Sequence, residues 1–281
     1  KKKIVFKKEY IKLGLVLFLI GFVKKIFFAD NIAIFIDPIF ESPELFQETD
    51  LFKSFILFPL QIYFDFSGYI DMALGSSLII GIELPPNFNK PYLTSSLTLF
   101  WRNWHITLSR WFKDYLYIPL GGSKKNQLKT LRNLIITMTV AGLWHGASIN
   151  FIIWGFLNGI ILYIEKIYKR KNITSIFRIF INCFIIFNLW IIFRISEIDD
   201  LLVFFKIFYS RFYNIFNFEN IILIFVTFLA IYSQKFDNIL YIKQLSKKMS
   251  LISIVLFFIC IIFVGLAINL GTSEKFIYFQ F

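Results

Sequence analysis

The sequence predicts an all-α, polytopic integral membrane bundle, with tilted and broken helices and one amphipathic interfacial helix. Three observations predict it. The first is composition: the 281 residues are 57% hydrophobic, 20% aromatic and only 17% charged, with Phe at 38 positions, and the mean hydropathy is +0.68. Soluble domains carry about 45–50% apolar and about 25% charged residues. Even a domain of about 300 residues leaves roughly a quarter of its chain surface in water. The second is a series of apolar runs near the length of a membrane span. The third is that the basic residues sit in short clusters between those runs. A soluble enzyme, a disordered chain and a disulfide scaffold are excluded. The net charge of +12 does not argue for nucleic acid, because the basic residues form no single face; they match loops that meet an anionic leaflet.

The runs follow in order. Ile11 to Val23 continues past Lys24 and Lys25 into Ile26, Phe27 and Phe28. Leu51 to Leu84 is long and contains Asp65 and Asp71. Leu131 to Ile164 is long enough for two tilted or shortened helices. Ile176 to Ile195, Ile221 to Tyr232 and Leu251 to Leu270 complete the set. A span needs about 20 mostly apolar residues, so the run at 221 is expected to begin earlier, near Phe216. Cys183 and Cys260 lie inside apolar runs and suggest packed residues rather than a metal site or a disulfide. The chain opens on Lys1-Lys2-Lys3 without Met. A signal peptide is disfavoured, because no small-residue cleavage site follows the short apolar region. The expectation is a piece of a longer protein, cut on its N-terminal side.

Charge sets the orientation. Residues 1–12, 101–132, 165–178 and 234–249 are basic and are expected in the cytoplasm. Residues 29–52, 196–220 and the C-terminal tail are expected outside. Residues 131–164 begin and end on basic loops, so this run must enter, turn and return. Gly142 and Gly146 supply the break. From Asn133 to His145 is about 12 residues, or ~18 Å of rise, which places His145 well into a ~30 Å hydrocarbon core. In the loop from Phe100 to Tyr117, Trp101, Trp104, Leu108, Trp111, Phe112 and Tyr115 recur at three- and four-residue spacing. This predicts an amphipathic helix lying at the interface, stopped by Pro119 and turned by Gly121-Gly122.

The only histidines are His105 and His145. Imidazole is the side chain suited to proton transfer near neutral pH. An ionisable group inside a membrane is a functional candidate by default, and burial favours the neutral, proton-accepting form. The bland readings are a helix–helix hydrogen bond for His145, through the Trp144 and Ser148 neighbours, and a headgroup-facing ring for His105. Asp65 and Asp71 share no helical stripe unless Ser67-Gly68 breaks the helix. They must face a cavity or a partner, or else pair with Arg102 or cap a broken helix. Ser67 is a nucleophile in principle but lacks a Gly-x-Ser-x-Gly elbow. There is no P-loop, dinucleotide fingerprint or metal-ligand cluster.

Several strings in order carry a resemblance. They are Trp101-Arg-Asn-Trp-His-Ile-Thr-Leu-Ser109, Trp111-Phe-Lys-Asp-Tyr-Leu-Tyr-Ile-Pro-Leu-Gly-Gly122 and Gly142-Leu-Trp-His-Gly146. To these add Gln61 to Met72, Gly21 to Asn31 and the terminal Tyr278-Phe-Gln-Phe281. Together they resemble the membrane-bound O-acyltransferase family, in its alginate and cell-wall polysaccharide O-acetyltransferase branch. The resemblance runs from about residue 10 to 281. It implies one acyltransferase domain over residues 1–281, lacking N-terminal helices of the full-length protein.

The resemblance further implies an enzyme of the bacterial inner membrane. It would take an acetyl group from a cytoplasmic thioester, acetyl-CoA or another acyl thioester, with no bound cofactor or metal. The group would pass through a tunnel toward hydroxyls of an exported polysaccharide, alginate-like or peptidoglycan, or toward an outside-facing transferase partner. His145 matches the family's catalytic histidine, and His105 a second histidine near the same tunnel. Trp101, Arg102, Asn103, Trp104, Trp144, Asp65 and Ser67 are the substrate-binding candidates. Arg102, Arg110, Lys113, Lys124 and Lys125 are suited to guiding an anionic donor, although a solvated positive-inside loop would look the same. The alternatives are D-alanyl transfer to teichoic acid, a lipid or solute transporter, for which no inverted repeat is visible, and a non-catalytic assembly subunit.

Overall fold

A computed structural model describes residues 7–124, 126–168, 176–210 and 217–268. Lys1–Lys3, Lys125, Lys169–Lys171, Phe216 and the terminal Tyr278–Phe281 string lie outside the described residues. Among the described residues every regular element is helical, in accord with the all-α expectation.

The apolar run at the start forms α1 (Lys8–Val23), passes through a wider π-helical turn (Lys24–Ala29) and continues as α2 (Asp30–Glu41). A π turn leaves carbonyls off the regular ladder. The Asn31 carboxamide donates to two of them, Ile26 O at 2.9 Å and Phe27 O at 3.2 Å. The long run at 51 becomes one helix, α3 (Glu48–Ile79). Neither Pro59 nor Ser67-Gly68 breaks it, so the capped, broken helix considered for Asp65 does not form.

Glycines set the α1–α3 crossing. A Cβ on Gly21 would lie 2.4 Å from Gly68 O, and a Cβ on Gly14 2.6 Å from Gly75 O. The two antiparallel pairs are two helical turns apart, and the backbones touch as at small-residue crossings in membranes.

After an extended stretch come α4 (Leu97–Asn103), α5 (Ile106–Phe112) and a π turn (Lys113–Tyr117). Next is the expected hairpin, α6 (Gln127–His145) and α7 (Ile149–Ile167), reversing at Gly146 to Ser148. Glycines allow this close approach too: a Cβ on Gly142 would lie 2.1 Å from Phe151 O, and one on Gly155 2.3 Å from Met138 O. The chain continues through α8 (Ile176–Arg194), α9 (Ile198–Ser210), α10 (Phe218–Ser233), α11 (Ile239–Lys248) and α12 (Leu251–Ile268). Among the described residues, α7 and α8 are long and apolar enough to cross a membrane; α11 and α12, bent by 113°, make a third span if taken as one. The Arg194 guanidinium meets Asp37 at 3.0 Å, so the two segments expected outside lie at one end of the bundle.

An aromatic core fills the centre. Phe58, Tyr63, Tyr92, Phe100, Trp104, Trp154, Phe193 and Phe204 are all fully buried. Tyr92 ties three elements together: its hydroxyl donates to Pro59 O at 2.7 Å on α3 and accepts from Trp190 Nε1 at 3.1 Å on α8.

The segment read as a continuous interfacial helix is instead re-entrant. The Glu165 carboxylate, near the end of α7, accepts from Leu97 N at 2.6 Å, Thr98 N at 2.9 Å and Thr98 Oγ1 at 2.8 Å. One turn on, Trp101 Nε1 donates to Asn158 Oδ1 at 3.0 Å, earlier on α7. Next, Trp104 packs on Trp190 at 5.0 Å between ring centroids. α4 therefore runs antiparallel to α7 into the bundle. The chain reverses at His105, whose φ of 41° is left-handed, and α5 leads back out. The Asn133 carboxamide on α6 donates to Leu120 O and Gly122 O, both at 3.1 Å, so the returning strand of chain lies beside the basic end of α6. Helical spacing persists across the break because α4 and α5 each have an apolar side. That is why the sequence reads as one helix.

Candidate active site

The re-entrant turn and the α6–α7 hairpin bring the two histidines to one place. His145 is the last residue of α6. Its half-buried ring is surrounded by Trp144 at 4.9 Å, Phe193 at 4.9 Å, Trp154 at 5.7 Å and Phe151 at 6.1 Å between centroids. His105 contacts the same indole, 6.4 Å from Trp144, and meets Phe66 edge-on at 4.8 Å. Trp144 thus contacts both imidazoles. His105 Nδ1 is buried without a hydrogen-bond partner among the described residues.

His145 sits farther along than the rise from Asn133 suggests. α6 extends back to Gln127, about 27 Å of helix below His145. The hairpin tip is level with the C-terminal end of α8: Ser148 Oγ donates to Ser196 O at 3.2 Å, and Asn150 Nδ2 donates to Ile195 O. The ring therefore lies toward the end of the bundle opposite the basic loops. It is the re-entrant turn that brings the chain to it from the basic side.

The other candidates divide. Trp101 packs 5.6 Å from Trp154, which itself contacts the His145 ring, and Trp144 is 55% exposed at the tip. Trp104 is fully buried in the aromatic core, so it supports the turn from behind. Asn103 donates back to Leu99 O at 2.8 Å, within its own helix. Arg102 is exposed and does not pair with the α3 carboxylates. Those pair with lysines: Lys25 Nζ lies 2.8 Å from both Asp65 and Asp30, and Lys24 Nζ lies 2.6 Å from both Asp71 and Asp237. Tyr63 OH also donates to Asp237. Asp65 is thus an ion-paired structural group, and the Arg102 alternative is corrected by geometry: α3 turns its acids toward α1. Ser67 is buried on α3 and borders a ≈ 30 Å³ cavity with Asp71, Asn87 and Asp237. A second cavity of ≈ 10 Å³ lies between Trp101, Trp154, Asn158 and Trp190. The first has room for a water or two and the second hardly for one.

Residue reasoning missed Asn87, Asn158, Glu165 and Asp237. Each acts across a large sequence separation and leaves no local pattern. For Lys24 and Lys25 there was a signal: cations inside an apolar run require buried acids to match, and α3 supplies them. No three His, Cys, Asp or Glu side chains converge on a metal-sized site among the described residues.

The sequence model of the membrane-bound O-acyltransferase family matches residues 2–198. The chain belongs to that family. The family match covers both histidines, the re-entrant turn, the hairpin and α8. Among its relatives is the peptidoglycan O-acetyltransferase of Helicobacter pylori, 42% identical over 198 residues, 68% of this chain and 38% of the relative. The probable alginate O-acetylase of Azotobacter vinelandii is 43% identical over 190 residues, 66% of this chain and 38% of the relative. The teichoic acid D-alanyltransferase of Bacillus subtilis is 32% identical over 107 residues, 36% of this chain and 27% of the relative. The chain thus spans well under half the length of these relatives, and as a family member with apolar helices it is a protein of the lipid bilayer.

Proposed function

We propose that this chain carries the transfer site of a membrane-embedded O-acetyltransferase, a multi-pass protein of a bacterial cytoplasmic membrane. It moves an acetyl group from a cytoplasmic thioester, acetyl-CoA or another acyl thioester, toward hydroxyls of an exported polysaccharide, alginate-like or peptidoglycan. The immediate acceptor is that polymer or an outside-facing transferase partner. The observation that supports this reading is that His145 and His105, 40 residues apart in sequence, both contact Trp144. The longer matches to the O-acetyltransferases, against the shorter one to the D-alanyltransferase, support acetyl over D-alanyl.

The geometry supports the following chemistry. His145, as neutral imidazole, accepts the proton of the acceptor hydroxyl. The hydroxyl oxygen attacks the thioester carbonyl carbon, the C–S bond breaks, and the proton passes to the departing sulfur. Ester and thiol are the products. His105, on the donor side, offers a hydrogen bond to the thioester carbonyl, where negative charge develops. The buried rings of Phe151, Trp154 and Phe193 present apolar faces to His145, which disfavours water as a competing acceptor on that side. Exposed Arg102, Arg110, Lys113 and Lys124 draw an anionic donor to the basic end.

The test is His145→Ala in the full-length protein, reading ester-linked acetate and ester-linked D-alanine released from cell wall and secreted glycan. Acetate is expected to fall by about 10²–10⁴-fold, the usual worth of general-base catalysis, with membrane insertion retained. Unchanged acetate overturns the assignment. Loss of D-alanine instead of acetate selects the other donor.

A further inference from the structure

The left-handed backbone at His105 (φ 41°) is unfavourable for an L-residue with a Cβ, because the Cβ crowds the following carbonyl. Such conformations persist where neighbours over-determine them, and they concentrate at functional sites. The neighbour here is Asn87, in the extended stretch between α3 and α4. Its backbone carbonyl accepts from Ile106 N at 3.0 Å. Its side-chain Oδ1 accepts from Thr107 N at 3.0 Å and from Thr107 Oγ1 at 2.6 Å. Two residues further on, Asn89 N donates to Asn103 O at 3.0 Å. The 87–89 stretch therefore grips the chain on both sides of the Trp104-His105 step. Inside the turn, Ser109 adds bonds of 2.9 Å from its N to His105 O and 3.1 Å from its Oγ to Trp104 O.

We propose that Asn87 is a positioning residue for His105: its carboxamide oxygen and backbone carbonyl clamp the first turn after His105, hold the left-handed backbone, and so aim the imidazole at Trp144 and His145. The inference rests on the acyl-transfer reading above. A short side chain with a planar acceptor is needed, because one oxygen must take both Thr107 donors while the adjoining carbonyl takes Ile106. Aspartate meets that need in shape. However, Asn87 shares its cavity with Asp71 and Asp237, and a further carboxylate there would repel both. The neutral amide is the group that fits.

The experiment uses the full-length protein in membranes, with acetyl-CoA as donor probe and incorporation of its labelled acetyl group as readout. Asn87→Ala is expected to lower kcat on the order of tenfold to a hundredfold, the scale for a misplaced reacting group, with KM for acetyl-CoA unchanged. Thr107→Val, which removes only the hydroxyl donor, gives a smaller loss in the same direction, and Thr107→Ser restores the rate. In a His105→Ala background, Asn87→Ala adds no further loss, because the residue it positions is gone. If Asn87→Ala does not insert, the Thr107 pair decides. Losses that multiply in the His105→Ala background, or a Thr107→Val protein at the wild-type rate, overturn the positioning role while leaving the acyl-transfer reading intact. A His105→Ala protein at full rate removes both His105's role and this one.

Discussion

The crossing of α1 on α3 offers the sharpest test of how the bundle holds its charges. Consider Gly21→Ala. The new methyl would lie 2.4 Å from Gly68 O and 2.8 Å from Met72 N. Ordinary carbon contacts begin near 3.4 Å, and both atoms are backbone, so no side-chain rotation gives relief. The helices must part by about 1 Å. A gap of 0.5–1 Å forfeits roughly a quarter to a half of each dispersion contact it opens, and overpacking of this kind costs about 1–3 kcal/mol. Separation also draws Lys24 and Lys25 away from Asp71 and Asp65. At roughly 2–4 °C per kcal/mol, the melting temperature of the purified full-length protein in detergent should fall by about 2–12 °C. Gly265→Ala is the comparison: its methyl would meet the Phe22 ring edge at 2.9 Å, and a ring can turn aside. A Gly21→Ala protein that melts within about 2 °C of wild type, or no lower than Gly265→Ala, would refute the close-approach argument.

Lys25→Met removes the cation shared by Asp30 and Asp65 and leaves two buried carboxylates unmatched. Breaking such a pair costs about 3–5 kcal/mol, so the yield of monodisperse protein should collapse, with partial recovery in Lys25→Arg; a wild-type yield would contradict it. Tyr92→Phe leaves the Trp190 indole N–H without its 3.1 Å acceptor and should cost about 1–3 kcal/mol, read as a lower melting temperature. Glu165→Ala leaves the Ser96 cap of α4 in place but removes the acceptor of the Leu97 and Thr98 N–H groups, and should cost about 1 kcal/mol. Because α4 leads directly into the turn at His105, transfer activity should drop more than stability does, and Glu165→Gln, which still accepts, should recover part of it.

The hairpin was legible because two independent signals coincided: charge required residues 131–164 to return, and Gly142 and Gly146 marked where. The helical class and the family motifs were legible for the same kind of reason, since composition and contiguous strings are local properties. The re-entrant turn was not. Its reversal falls on a histidine rather than a glycine, and the residues that hold it, Asn87 and Glu165, are far along the chain. Glycine also misled in one place. Gly68 suggested a break in α3, but its bare Cα serves contact with Gly21 across the crossing and the helix runs straight through. The acids of α3 were correctly expected to need partners. Arg102 was the nearer candidate in sequence, whereas the π turn after α1 delivers both lysines to the same level.

One helix serves as the reference for both imidazoles. α7 holds the start of α4 through Glu165, its middle through Asn158, and the His145 ring through Phe151 and Trp154. If α7 tilts as the bilayer thins or thickens, the two imidazoles ride together on the same rail. Their mutual spacing is then insulated from membrane thickness.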